Sequence, residues 1–110
     1  MLRMALSPAA SAILRGLVAK TGVASDRILL SSVRSIDWQS LTFVGERHEI
    51  ELRIAPPEAE QLAERICDGL DEADFAIPGH ILADIAVRGA PRRTEDGSAL
   101  LSIEALTIEE

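Results

Sequence analysis

The sequence is poor in cysteine and in aromatic side chains. Its 110 residues include one Cys, one Trp, two Phe and no Tyr. Because a lone cysteine, Cys67, cannot close an intramolecular disulfide, the chain is not a disulfide-stapled domain. No Cys-x-x-Cys pair or Cys/His cluster with metal-ligand spacing occurs, and so few rings leave no platform for stacking nucleic-acid bases. We therefore expect no metal and no cofactor.

Basic residues are also scarce. The chain has 11 Lys and Arg against 18 Asp and Glu, a net charge of −7, and Arg92-Arg93 is its one pair of adjacent bases. An acidic chain without a basic face is repelled by phosphate backbones, so we expect no nucleic-acid partner. No apolar run approaches the ~18 residues that a membrane span needs. These observations predict a cytoplasmic chain that does not enter a membrane.

The charge is distributed unevenly along the chain. The N-terminal 45 residues carry five bases and two acids, whereas the remainder carries six bases and sixteen acids. The first 25 residues contain no acid, which is also typical of a transit peptide, although Pro8 and Arg15 interrupt the apolar run that a secretory signal needs. The same segment has the pattern of an ordinary helix. We interpret it as the first helix of a single domain that spans residues 1–110.

Two segments have the periodicity of amphipathic helices. Ser7 followed by Pro8 is typical of a helix N-terminus and Gly22 of a C-terminus, which predicts a first helix from about Pro8 to Thr21. Pro56-Pro57 opens the second helix, whose outer face is acidic. Each helix has one apolar stripe and buries one face. The stripes are Ala10, Ile13, Leu14, Leu17 and Val18 in the first helix, and Ala59, Leu62, Ala63, Ile66, Leu70 and Ala73 in the second.

Four segments are predicted to be strands. Residues 28–43 are rich in β-branched side chains, with a bulge expected near Gln39-Ser40, and a tight turn at 44–46 follows. Residues 48–54 alternate apolar and charged side chains, as in a strand with one wet face. The third and fourth strands are expected over residues 81–87 and 101–105, joined by a polar loop.

The element order is therefore α-β-β-α-β-β, and the two halves weakly repeat one another. Helices with one apolar stripe and strands with one apolar face are satisfied by a two-layer α+β sandwich, in which both helices cover one face of a four-stranded antiparallel sheet. Moving the last strand to the front gives β-α-β-β-α-β, so we predict a permuted ferredoxin-like connection. This fold hosts many unrelated functions and does not select one.

Few titratable groups are available for chemistry. His48 has the core parity of its strand, and its simplest interpretation is a histidine at the sheet rim bonded to the backbone. His80 is too far along its strand from Asp84 to share a metal ion with it. Cys67 lies on an acidic helix, which favours an inert thiol. The chain has no P-loop and no GxGxxG, HExxH or GxSxG motif.

One charged cluster near the single indole is a candidate binding site. Arg34, Asp37 and Arg47 are expected to surround Trp38 if this residue lies near the hairpin, and His48 is close in sequence. Together these five residues could bind a small anion or a partner chain. The alternative is a tryptophan packed in the core with solvated charges around it.

The sheet face without helices is predicted to carry apolar residues. Exposed apolar surface of this kind indicates a partner, and two-fold association is common for small domains. We therefore expect a homo-oligomer, most simply a dimer through sheet faces or edges. The residues with this outward parity are Leu29, Leu82, Ala86, Leu100, Leu106 and Ile108.

Three hypotheses for function follow. The first is a non-enzymatic, self-associating interaction or regulatory module that could also bind another protein. The second is a small-ligand-binding protein or small enzyme whose site forms at the dimer seam from His48, Arg34 and Asp37, with His80 as a further member. The third is a structural subunit of a larger assembly, such as a phage or secretion structure. Convergence of the charged side chains in one pocket would favour the second hypothesis.

Overall fold

The helices and strands follow the predicted order. A computed structural model describes residues 6–23 and 25–110. Residues 1–5, where a targeting segment would begin, lie outside the described residues, and Pro8–Thr21 of that segment forms a helix. The elements of the described part are α1 (Pro8–Thr21), a 3-10 turn (Ser25–Arg27), β1 (Ile28–Gln39), β2 (Val44–Ile54), α2 (Ala59–Cys67), a 3-10 turn (Leu70–Glu72), β3 (His80–Val87), β4 (Arg92–Arg93) and β5 (Ala99–Glu109).

The five strands form one sheet in the order β1-β2-β5-β3, and every neighbouring pair is antiparallel. β2 lies along one side of β5. On the other side, β3 and the two-residue β4 lie end to end, with β4 opposite Ala99 and Leu100. The antiparallel α+β class is confirmed, with one short strand more than expected. The permuted ferredoxin-like connection stays an interpretation.

Local sequence signals set the ends of α1. Ser7 is extended, and its hydroxyl oxygen accepts a hydrogen bond from the Ala10 N–H at 3.1 Å. Pro8 follows in the first turn, where a backbone N–H group would have no acceptor within the helix. At the other end Gly22 has a φ of 70°, and its N–H donates to the carbonyl of Ala19. The predicted helix boundaries are therefore confirmed with their physical causes.

α2 is shorter than its apolar stripe predicted. It ends at Cys67, and Gly69, with a φ of 64°, turns the chain out of the helix. The 3-10 turn Leu70–Glu72 follows and still buries Leu70. The stripe continues past the helix because this turn packs on the same core.

Both helices pack on one face of the sheet, as predicted. The core joins α1 and α2 to alternate residues of the two central strands, the even positions of β2 and the odd positions of β5. Ile13, Leu17 and Ile66 of the helices and Leu52 and Leu101 of the strands are fully buried. Truncating such a side chain to alanine typically costs ~2–5 kcal/mol. Side chains of the other parity form the face opposite the helices, which we call the open face.

Two β-bulges change the parity of the outer strands. In β1 the extra residue is Ser31, far from the bulge expected at Gln39-Ser40. In β3 it is Ala83. Leu82 consequently packs against the core, and Ile81 is 55% exposed on the open face. The placement of Leu82 on the open face was therefore wrong, because one extra residue reverses the alternation.

The β1–β2 hairpin turns earlier than expected. The Ser40 N–H donates to the Phe43 carbonyl at 2.9 Å, and the Ser40 hydroxyl oxygen accepts from the Phe43 N–H at 3.0 Å. Gly45, expected in the turn, lies inside β2 opposite Ile108. A Cβ atom at Gly45 would be 1.9 Å from the carbonyl oxygen of Thr107. The close approach of β5 therefore requires glycine at this position.

We expect Gly45→Ala to lower the free energy of unfolding by about 1–3 kcal/mol, because the added methyl group must displace the β5 backbone. Urea unfolding followed by far-ultraviolet circular dichroism measures the change. Glu49→Ala is the matched control on the same strand: Glu49 is exposed, and its ion pair with Arg34 is 3.8 Å long. This control should lose less than about 1 kcal/mol. Wild-type stability in Gly45→Ala would contradict the account of the β2–β5 contact.

Candidate functional site

The five candidate residues lie on both faces of the sheet. Their order along β1 and the register with β2 place Arg34, Trp38 and Arg47 on the open face. Asp37 and His48 have the opposite parity and lie on the helix-covered face. The five side chains therefore do not line one pocket, and their role in binding stays a prediction.

His48 is fully buried and joins three strands through hydroxyl groups. Its Nδ1 is 2.8 Å from the Ser35 Oγ of β1, and its Nε2 is 2.9 Å from the Thr107 Oγ1 of β5. The Thr107 hydroxyl donates to the carbonyl oxygen of Glu46 at 3.5 Å. In the neutral imidazole one ring nitrogen donates to one of these hydroxyl groups and the other nitrogen accepts from the second. Each ring nitrogen of the neutral imidazole has a partner.

The environment of His48 favours the uncharged ring. Burial lowers the pKa of His48 below its ordinary value of 6.5, Glu46 opposes this shift, and His80 adds to it. A serine hydroxyl that donates to a histidine is one half of a nucleophile and base pair. Here the ring is 0% exposed, and its second nitrogen bonds a hydroxyl instead of a carboxylate. The arrangement supports a structural role for His48, which links β1, β2 and β5 by hydrogen bonds, more than it supports a catalytic role.

The other groups considered for chemistry are separate from His48. His80 is half-buried, and its Nδ1 lies 3.1 Å from the carbonyl oxygen of Pro78. Burial, followed by the neighbouring Glu64 carboxylate, raises the pKa of the half-buried Cys67 thiol. Over residues 6–23 and 25–110, no three His, Cys, Asp or Glu side chains are grouped so that they could hold a metal ion.

Ion pairs occupy the centre of the open face. The Glu104 carboxylate binds Arg47 at 2.5 Å through one oxygen and Arg88 at 2.6 Å through the other. Glu104 keeps only 22% of its side-chain exposure. Arg47 is therefore already paired, and an anion that binds it would have to compete with the Glu104 carboxylate, although the two arginines and one carboxylate together keep a net positive charge. Glu104 carries no local sequence signal for this role, because its partners Arg47 and Arg88 lie 57 and 16 positions away in the chain.

The open face becomes apolar toward the β1–β2 hairpin. We call the surface formed there by Ile36, Trp38, Ile81, Leu106 and Ile108, with the hairpin residues Leu41, Phe43 and Val44, the apolar end. Leu41 is fully exposed, Ile81 is 55% exposed, and Phe43 and Val44 are each 50% exposed. Exposed apolar side chains this close together are unusual on a monomer and indicate a contact surface. Of the apolar residues predicted for the open face, Leu106 and Ile108 lie in this apolar end. Ala86 lies opposite Glu104, and Leu29 and Leu100 lie opposite Arg53, toward the other end of the sheet.

The comparisons with known proteins concern the fold. No protein-family model matches the sequence, and no curated protein matches it. The backbone is similar to a chain in the solved virion of a native gene transfer agent particle, with a TM-score of 0.57 and 13% sequence identity. The alignment covers 93% of this chain and 98% of that chain. At this identity the similarity shows a shared fold.

In the described part of the chain, neither helix has the length and apolar character needed to cross a membrane.

The burial of His48 predicts a pH dependence of stability. Because its pKa is lowered in the folded state, the unfolded chain binds more protons as the pH falls below 6.5. The contribution of His48 is complete above pH 6.5 and is lost as the pH falls toward the folded-state pKa. Urea unfolding between about pH 7.5 and pH 5 should therefore show a falling free energy of unfolding.

His48→Gln should flatten this dependence, because it removes the titrating ring while keeping a polar side chain for Ser35 and Thr107. His80→Gln is the matched control: it removes one imidazole and the smallest of the three contributions to the pKa of His48 but leaves His48 buried, so most of the dependence should persist. If His48→Gln retained the wild-type slope, the assignment of the slope to His48 would be wrong.

Proposed function

We propose that this chain is a structural subunit of a multi-protein particle, of the virion-like kind in which the similar chain is found. The observation that carries the proposal is the extent of the backbone similarity, 93% of this chain and 98% of the other. The alignment therefore includes nearly all of the given sequence and of that chain, rather than one short shared segment.

The surface of the molecule supports the same proposal. The apolar end presents aliphatic and aromatic side chains on a protruding hairpin and the adjoining strands, as a protein contact does. The alternative of a small enzyme with a site formed by His48, Arg34 and Asp37 would need these side chains to meet at an accessible place. His48 is 0% exposed, and Arg34 and Asp37 lie on opposite faces of the sheet. Of the three hypotheses drawn from the sequence, the structural subunit has the strongest support, ahead of the regulatory module.

The test is association with particles in the organism that makes the chain. We expect a tagged copy expressed from its own locus to sediment in a density gradient with particles that protect nucleic acid from nuclease. The ratio of the tagged chain to other particle proteins should stay constant across the peak and after a high-salt wash. Deletion of the gene should reduce or truncate the particles seen by electron microscopy, and the wild-type gene should restore them.

Two outcomes would contradict the proposal. One is that the tagged chain stays at the top of the gradient when particles are abundant. The other is that deletion leaves the number and form of particles unchanged. The exposed substitution Glu49→Ala serves as the control, since it lies away from the apolar end and should restore particles as wild type does.

A further inference from the structure

β1 has an unpaired edge along most of its length. It is the longest strand, with 12 residues, and it lies at the end of the strand order. From Ser32 to Gln39 it follows β2 in an unbroken register, and in the part of the chain that the structure describes no strand pairs with its other side. Alternate residues of an edge strand direct their N–H and C=O groups outward, where another strand can bind them.

Proline, lysine and a central bulge, three of the usual protections of an edge strand, are missing from this segment. It contains no proline and no lysine, and its bulge at Ser31 lies near its beginning, so residues 32–39 are regular. The opposite edge of the sheet differs. There β3 has only eight residues and a bulge at Ala83, and the connection through Pro91 separates it from β4. Of the two edges, β1 is the one built to accept a further strand.

We propose that β1 pairs with β1 of a second copy of this chain in an antiparallel, two-fold symmetric arrangement. The two sheets then continue into each other across the junction. This inference rests on the proposed function for its biological setting, a subunit that must contact others. It adds to the proposed function the surface that makes the contact, the edge of β1, and the partner, a second copy of this chain.

Charge favours a second copy at this edge over other surfaces. The chain carries −7, and the outer side of α2 with its following turn is acidic, so two copies repel each other there. β1 has one base, Arg34, and one acid, Asp37, and is therefore neutral along its length. Two such strands approach without net repulsion.

A pairing centred on Ile36 is self-complementary on the open face. Ile36 is 36% exposed and would face the partner's Ile36 across the two-fold axis. Each Arg34 would then lie opposite the partner's Trp38, where a guanidinium can stack on the indole. The Arg34 side chain is 72% exposed, and its contact with Glu49 is 3.8 Å long, so it is free to make this interaction. The apolar ends of the two copies then lie on the same face of the continuous sheet, at opposite ends of the junction.

Sedimentation equilibrium of the purified full-length chain tests the association. We expect a dimer at micromolar concentrations, and Ile36→Lys should weaken it by about 100-fold, because both copies lose the central contact and gain a like charge. Ile81→Lys is the matched control on the same open face, at the opposite edge, and should leave the dimer intact. Circular dichroism confirms that both variants are folded.

Disulfide cross-linking tests the geometry in a background that carries Cys67→Ala. Ile36→Cys should give a disulfide-linked dimer under mild oxidation, since residues facing each other across antiparallel strands come within bonding distance. Ile81→Cys should remain uncrosslinked. A monomeric wild-type chain at ~100 μM would overturn the proposal and leave the edge to a strand from another protein. An oligomer that cross-links through Ile81→Cys and not through Ile36→Cys would overturn it as well.

These results are separable from the particle experiment. The purified chain can be monomeric while the tagged chain sediments with particles, in which case the proposed function stands and the β1 junction is wrong. If the purified chain forms a dimer through β1 but the tagged chain never sediments with particles, the β1 junction stands and the proposed function is wrong.

Discussion

The sheet is covered by helices on one face only. This one-sided burial determines which strand side chains pack in the core and which remain exposed. Along β2 and β5 every second side chain enters the core, and Leu52, Ile54 and Leu101 are completely buried there. The intervening side chains must face water or a partner. A binding surface on the sheet itself is therefore confined to the open face, the sheet edges and the hairpin, because the other face is filled by α1 and α2.

His48 marks the point where the covered face changes from apolar to polar. Toward the middle of the sheet its strand continues with Ile50 and Leu52, which pack under the helices. At His48 the neighbours become Ser35 and Thr107, and an imidazole between two hydroxyls satisfies all of its polar atoms without a charge. An unsatisfied polar group at such depth would cost more than a hydrogen bond returns. The network thus closes the core at the hairpin end.

The sequence was sufficient to predict the fold because helix caps and strand alternation are local signals. Ser7, Pro8 and Gly22 bound α1, and the alternation from His48 to Ile54 describes that part of β2, although the strand begins earlier, at Val44. Bulges are different, since the extra residues at Ser31 and Ala83 are defined by register against a neighbouring strand. Composition carries no signal for that register, so Leu82 was placed on the wrong face.

The candidate site was grouped by nearness in the sequence, and strand geometry separates such groups. Arg34 and Asp37 are three residues apart on an extended strand, an odd spacing that places them on opposite faces. This separation of Arg34 from Asp37 could have been predicted from the alternation of side chains along a strand. The pairing of Arg47 with Glu104 could not, because it depends on β5 lying next to β2, a contact between residues 57 positions apart.

The character of the open face also bears on how copies of this chain can meet. Face-to-face packing would bury the Arg47, Glu104 and Arg88 network, and taking these charges out of water costs more than their mutual attraction returns unless the partner supplies matched groups. Edge pairing avoids this cost, since the network stays beside the junction and keeps its contact with water. It also satisfies backbone groups that have no partner strand. Association through the sheet, as expected from the sequence, stays a prediction, and the placement of the charges favours the edge of the sheet over its face.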